Sequence, residues 1–283
     1  MSAVHLASVR LQRALLLPTL LLFVVTATAC GTAVATPVPV SLTVAASSSA
    51  QPLASLAADA YMQANPHITI NIEPVGSELA AEWVVEQGRA DAAFLLATPP
   101  IAFSEGMTST EIATDALVLV VNRENPLENI GIDQARQVFT GRTRLWSELD
   151  AGFGAIQVIT REAGVGVRNA LQQAVMGRRR FTPTAIVLPG NREILEEVAA
   201  DPLAIGFLPA SWLDDRVKAL TLEGMSHDWV ALNVPGYPAV LPLFFVTPDD
   251  PSPEAAALRD FVAGEEGAAL LTGRYGLPGY ASP

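Results

Sequence analysis

Apolar, β-rich runs alternate with helix-patterned segments along nearly the whole of residues 41–276, and this alternation is what most constrains the fold. A chain that switches between period 2 and period 3.6 every ten to twenty residues or so builds strands covered by helices, an α/β architecture with largely parallel sheets. "SLTVAA" reads as a first strand, and "SSSAQPLASLAADAYMQANP" as a helix with serine caps, Pro52 in its first turn and Pro66 beyond its end. "ITINIEP", "ADAAFLL" and "ALVLVVN" read as the next strands, with a helix over "GSELAAEWVVEQG". The run "ALVLVVN" is continuous enough to be buried on both faces.

A second set of elements follows. "GIDQARQVFTG", "VRNALQQAVMG" and "NREILEEVAAD" are helical, and "AIQVIT", "AIVL" and "AIGFLP" are strands. The less regular stretch 211–240 leads to a strand over "LPLFFV" and two closing helices. Boundaries near Val121 and Tyr237 nest one set inside the other: residues 42–120 with 238–283 form a first lobe, and 121–237 an inserted second lobe. At 283 residues, half of them hydrophobic, the chain can bury two such cores without disulfides.

The N-terminus carries an export signature. Arg10 and Arg13 precede "ALLLPTLLLFVVTATAC", a run of signal-peptide length, whereas a bilayer span needs about 20 apolar residues with matching flanks. Cys30, the single cysteine, follows Ala27, Thr28 and Ala29 and precedes Gly31, which resembles the bacterial lipoprotein lipobox. The expectation is a signal peptide over 1–29, a lipidated Cys30 as mature N-terminus, and a charge-free, Pro-containing tether over 30–41. An ordinary cleaved signal followed by a chance cysteine, or an uncleaved membrane anchor, are the alternatives; each still exports the domain.

Charge excludes one class of partner. The 17 basic residues, all arginine except Lys218, stand against 29 acids, a net charge of −12 that becomes −14 once Arg10 and Arg13 are removed with the signal. Phosphate-backbone binding relies on Lys and Arg, so nucleic acid is not expected as a partner. The one basic cluster, "GRRRF" at Gly177–Phe181, suits a solvated helix C-terminus; contact with anionic lipid or a transporter subunit is the alternative. His5, His67 and His227 are isolated, and no nucleophile elbow or phosphate-cradling loop ending in Gly-Lys is present. Hence no enzyme, catalytic residue, metal or cofactor is expected.

Several motifs in order resemble one family. "ANPHITINIEPVGS", "GRADAAFL", "ALVLVVNRENPLENIGIDQARQVFTGRTRLWSEL", "REAGVGVR", "AADPLAIGFLP" and "YPAVLPLFFVT" are similar, in sequence and sequence order, to the phosphate-binding branch of periplasmic substrate-binding proteins, the receptors of ABC importers. The resemblance implies a two-lobed type II fold with the ligand in the cleft between lobes, a small anionic solute and an ABC permease as partners, and a monomer held at the extracytoplasmic face of the membrane. It also implies that three loops converge on the cleft: Ser47, Ser48 and Ser49; Gly76 and Ser77; and Arg161 with Gly164, Val165, Gly166 and Val167.

The third loop departs from the family pattern. Arginine and both glycines are kept, but Val165 and Val167 stand where the family has serine and threonine. A hydrogen bond to a charged group is worth about 1.5–3 kcal/mol, so two lost hydroxyls weaken a micromolar phosphate site by roughly two to four orders of magnitude. Three explanations follow: a different oxyanion or organic acid, a weaker oxyanion site resting on backbone N–H groups and Arg161, or a surface sensor or scaffold with a degenerate site.

Overall fold

A computed structural model describes residues 38–96, 105–152, 154–231 and 233–279, so the signal, Cys30 and most of the tether expected from the sequence lie outside the described residues. Pro39–Pro283 form one compact unit. In chain order the strands are β1 (Val40–Ser47), β2 (Ile68–Val75), β3 (Ala92–Leu96), β4 (Met107–Asn122), β5 (Asn129–Ile130), β6 (Gln157–Thr160), β7 (Ile186–Val187), β8 (Ala204–Pro209), β9 (Val217–Ala219), β10 (Thr221–Leu222) and β11 (Val240–Pro248). The helices are α1 (Gln51–Ala64), α2 (Glu78–Glu86), α3 (Ile132–Phe139), α4 (Gly166–Leu171), α5 (Asn191–Ala200), α6 (Asp228–Ala231), α7 (Pro253–Ala263) and α8 (Glu265–Leu271).

The main sheet runs in the order β2-β1-β3-β11-β4-β8-β6-β7. Strand β1 is parallel to β2 and β3, and β6 is parallel to β7 and β8, as short crossovers through helices require. Strands β4 and β11 are antiparallel to their neighbours. β4 links the two halves. Through Ala116 it pairs with β11, and from Leu117 onward with β8 and β9. It begins at Met107, well before the run "ALVLVVN" that announces it in the sequence, because the residues before Ala116 gain a strand partner only when β11 returns.

Local chemistry sets several boundaries. Ser252 Oγ accepts the Ala255 N–H at 3.2 Å and Pro253 opens α7, a combination worth about 1 kcal/mol over an uncapped start. Pro52 lies in the first turn of α1, as expected, but no serine caps that helix: Ala50 takes the position. Ser47 instead ends β1, and its carbonyl accepts the Ala50 N–H at 2.9 Å. The segment "VRNALQQAVMG" is not one regular helix, since α4 passes into a π-helical turn over Gln172–Met176.

Helices pack on the sheet through apolar faces. Gly206 in β8 lets α5 approach closely; a Cβ there would come within 2.8 Å of Ile194 Cγ2. Phe94 meets Phe245 edge to face at 4.8 Å, and Phe139 stacks similarly on Phe207 at 5.9 Å, geometries that add about 0.5–1.5 kcal/mol each to the burial itself. Trp146 is buried, with its Nε1 donating to the Leu203 carbonyl at 3.1 Å. Among the described residues no helix is long and apolar enough to cross a membrane.

Candidate functional site

Arg161 follows β6 directly and is wholly buried. A buried guanidinium without hydrogen bonds would be prohibitive, and this one is surrounded by acceptors. Nη1 donates to Asn191 Oδ1 at 3.1 Å and to Ser48 Oγ at 3.3 Å. Nη2 donates to the carbonyls of Pro189 at 2.8 Å and Gly76 at 3.3 Å. Asn191 and Pro189 precede or open α5, whereas Ser48 and Gly76 follow β1 and β2. The residues after β1, after β2 and after β6 therefore meet at one point.

Two further side chains fasten the same place. Asn191 Nδ2 and Trp212 Nε1 both donate to the Ser48 carbonyl, at 3.2 and 3.0 Å. Neither is marked out by the sequence reading. The signals were present: Asn191 opens a helix after "LPG", and an indole N–H requires an acceptor when it is covered.

Three buried polar atoms at this junction lack hydrogen-bond partners among the described residues: Ser47 Oγ, Ser49 Oγ and Arg161 Nε. Glu162 Oε2 stands 3.5 Å from Nε without hydrogen-bonding geometry, and its side chain is half exposed. The positive charge of Arg161 is thus covered mainly by neutral carbonyls, an amide and a hydroxyl, an environment that favours a nearby anion.

Gly164 has φ +93°, in the left-handed region where a side chain is strained, so glycine fits the turn before α4. Val165 is the residue before the first turn of α4, and both it and Val167 belong to the main hydrophobic core. Their side chains pack inward, and Val167 is fully buried. In place of side-chain hydroxyls this loop brings the positive N-terminal end of α4. Ser77 is half-buried, and its carbonyl accepts the Ala81 N–H at 3.1 Å. Phe94, Leu95 and Leu96 of β3 are buried in apolar packing. No group of three or more His, Cys, Asp or Glu side chains among the described residues could hold a metal.

Residues 27–266 match the family profile described as a PBP superfamily domain. The chain belongs to the PBP superfamily. Within it, the chain is 27% identical over 204 residues to the phosphate-binding protein PstS of Bacillus subtilis, covering 70% of this chain and 67% of that one. A Clostridium perfringens protein, solved with bound phosphate and described as a phosphate ABC transporter substrate-binding protein, superposes with a TM-score of 0.76 at 24% identity, covering 84% of this chain and 99% of that one. An ABC-type phosphate transport receptor from Vibrio cholerae gives 0.64 at 24% identity over 84% and 100% of the two chains. These likenesses establish the two-lobed, mixed α/β fold of substrate-binding proteins for this PBP chain. The relatives are substrate-binding proteins rather than enzymes.

Proposed function

We propose that this PBP-superfamily chain is an extracytoplasmic solute-binding lipoprotein of the phosphate ABC-transporter type, which holds a small oxyanion in the cleft between its lobes. Arg161 supplies the charge, the Ser47 and Ser49 hydroxyls and the positive N-terminal end of α4 beside Gly164, Val165, Gly166 and Val167 add to it, and Gly76 and Ser77 close the first-lobe side. The observation that carries this reading is the coincidence of a fully buried arginine with three polar atoms that make no hydrogen bond among the described residues, Ser47 Oγ, Ser49 Oγ and Arg161 Nε. Such atoms are costly to bury empty and are matched by the oxygens of a tetrahedral anion. They favour a compact oxyanion over a bulky organic acid. Because Val165 and Val167 bring no hydroxyls, phosphate binds more weakly than to a site that has both.

A permease partner, a lipid anchor on Cys30 and a monomeric state complete the proposal, with lobe boundaries near Val121 and Tyr237, close to where β4 passes from β11 to β8. Calorimetric titration of phosphate, then sulfate and other oxyanions, tests it with melting temperature followed in parallel. A ligand that binds N but not U raises stability by RT ln(1 + [L]/Kd). Binding of one of these anions that disappears in Arg161→Ala supports the reading. Indifference to every oxyanion tested favours a sensor or scaffold with a degenerate site.

A further inference from the structure

The arginines of the "GRRRF" segment take no part in the site around Arg161, yet one of them completes a second basic cavity. A cavity of about 200 Å³ lies between α3 and the turn that ends the π-helical segment, lined by Asp133, Arg136, Gln137, Thr140, Arg142 and Arg179. None of these residues hydrogen-bonds or ion-pairs with Arg161. Arg136 is fixed in place: its Nε donates to the Val175 carbonyl at 2.6 Å and Nη1 pairs with Asp133. The backbone around Arg179 is fixed as well, because Gln172 Nε2 donates to the carbonyls of Gly177 at 2.6 Å and Arg179 at 2.8 Å. The lining carries three guanidinium groups against one carboxylate.

What distinguishes this cluster is that two of its three guanidinium groups, those of Arg142 and Arg179, share one cavity with Arg136 but have no partner of their own among the described residues. Several other arginines find carboxylates, as in Arg89–Glu73, Arg216–Asp214 and Arg259–Asp260. Among the described residues the guanidinium groups of Arg142 and Arg179 have neither a carboxylate nor a hydrogen-bond acceptor, although 29 acidic residues are available in the sequence. Guanidinium groups with several free N–H donors around one cavity match the several oxygens of a phosphate better than the two of a carboxylate.

We propose that this cavity is a second anion site, in which Arg136, Arg142 and Arg179 hold the phosphate group of a phosphoester. A lipid headgroup and a free phosphomonoester share that chemistry. The proposal is independent of the oxyanion site, and the test keeps the two apart by using the full chain with Arg161→Ala in neutral detergent micelles. Hydrogen–deuterium exchange is followed over residues 132–142 and 172–180 in two arms, one titrated with glycerol phosphate and one with micelles doped with phosphatidylglycerol.

Slowed exchange over those residues is expected in at least one arm, reversed near 1 M salt, where screening acts over about 3 Å. Protection only in the doped micelles identifies a lipid headgroup; protection with glycerol phosphate identifies a free phosphoester. Adding Arg142→Ser and Arg179→Ser raises the half-saturating concentration at least about tenfold. Adding Arg216→Ser and Arg259→Ser, which removes equal charge elsewhere, leaves it unchanged. No protection in either arm, or equal weakening by both double substitutions, overturns the proposal.

Discussion

Arg161 Nη1 and Ser48 Oγ meet at 3.3 Å although 113 residues separate them in the chain. That contact joins the end of β6 to the end of β1, and the Ser48 carbonyl is held in turn by Trp212 and Asn191. The arginine is therefore a structural tie between the two parts of the fold as well as the charge proposed to meet an anion.

Removing it should affect both properties. Arg161→Ala leaves Asn191 Oδ1 and the Pro189 and Gly76 carbonyls without their donor. Hydrogen bonds to a charged group contribute about 1.5–3 kcal/mol, so a loss of about 3 kcal/mol is expected in urea unfolding without ligand. A variant as stable as the parent would show that these contacts reorganise freely.

The two valines should respond differently to restored hydroxyls. Val165 precedes the first turn of α4 with φ −73° and ψ 137° and has no side-chain cap, so Val165→Ser supplies a cap worth about 1 kcal/mol but gives up a buried valine worth about 1.5–3 kcal/mol, a small net loss of stability. If its hydroxyl also reaches the anion, phosphate affinity rises about tenfold or more by calorimetry. Val167 is fully buried in the core, so Val167→Thr buries a hydroxyl at a cost of about 1–3 kcal/mol without ligand, read by thermal unfolding.

Asp115 gives the fold a pH dependence. It is buried in β4, where its carboxylate accepts the N–H groups of Ala116 at 2.7 Å and Ser211 at 3.2 Å. Burial outweighs these bonds and pushes its pKa from 3.8 up to about 6. A folded pKa above the unfolded one means the folded state binds more protons, so the Asp115 contribution is greatest below about pH 4 and is lost as pH rises through about 6. The span corresponds to roughly 3 kcal/mol. Asp115→Asn should remove that decline from a series of unfolding curves between pH 4 and 7; an identical slope in the variant would assign it to other groups.

Close packing between β8 and α5 can be probed at Gly206. A Cβ there would lie 2.8 Å from Ile194 Cγ2 and 3.2 Å from Val198 Cγ2. Gly206→Ala should destabilise by about 1–3 kcal/mol, since the methyl groups of β-branched side chains cannot swing aside. Equilibrium unfolding measures it, and an unchanged midpoint would mean α5 shifts without penalty.

By itself the sequence determined the alternation of strands and helices, their order and the family. These depend on local periodicity, on Pro52 and Pro253 at helix starts, and on apolar runs such as "AIGFLP", which spans β8 from end to end. Arg161 and the glycine turn at Gly164 were also legible, because a charged residue before a glycine-opened helix is a local pattern. Tertiary structure decided what depends on distant partners. The length of β4 was set by the return of β11, and Ser47 and Ser49 became buried groups near Arg161 instead of helix caps. Asn191 and Trp212 were drawn to the Ser48 carbonyl, and the two valines were committed to the core. Periodicity records which residues avoid water, but the acceptor that each buried donor finds is fixed only when segments more than a hundred residues apart are packed together.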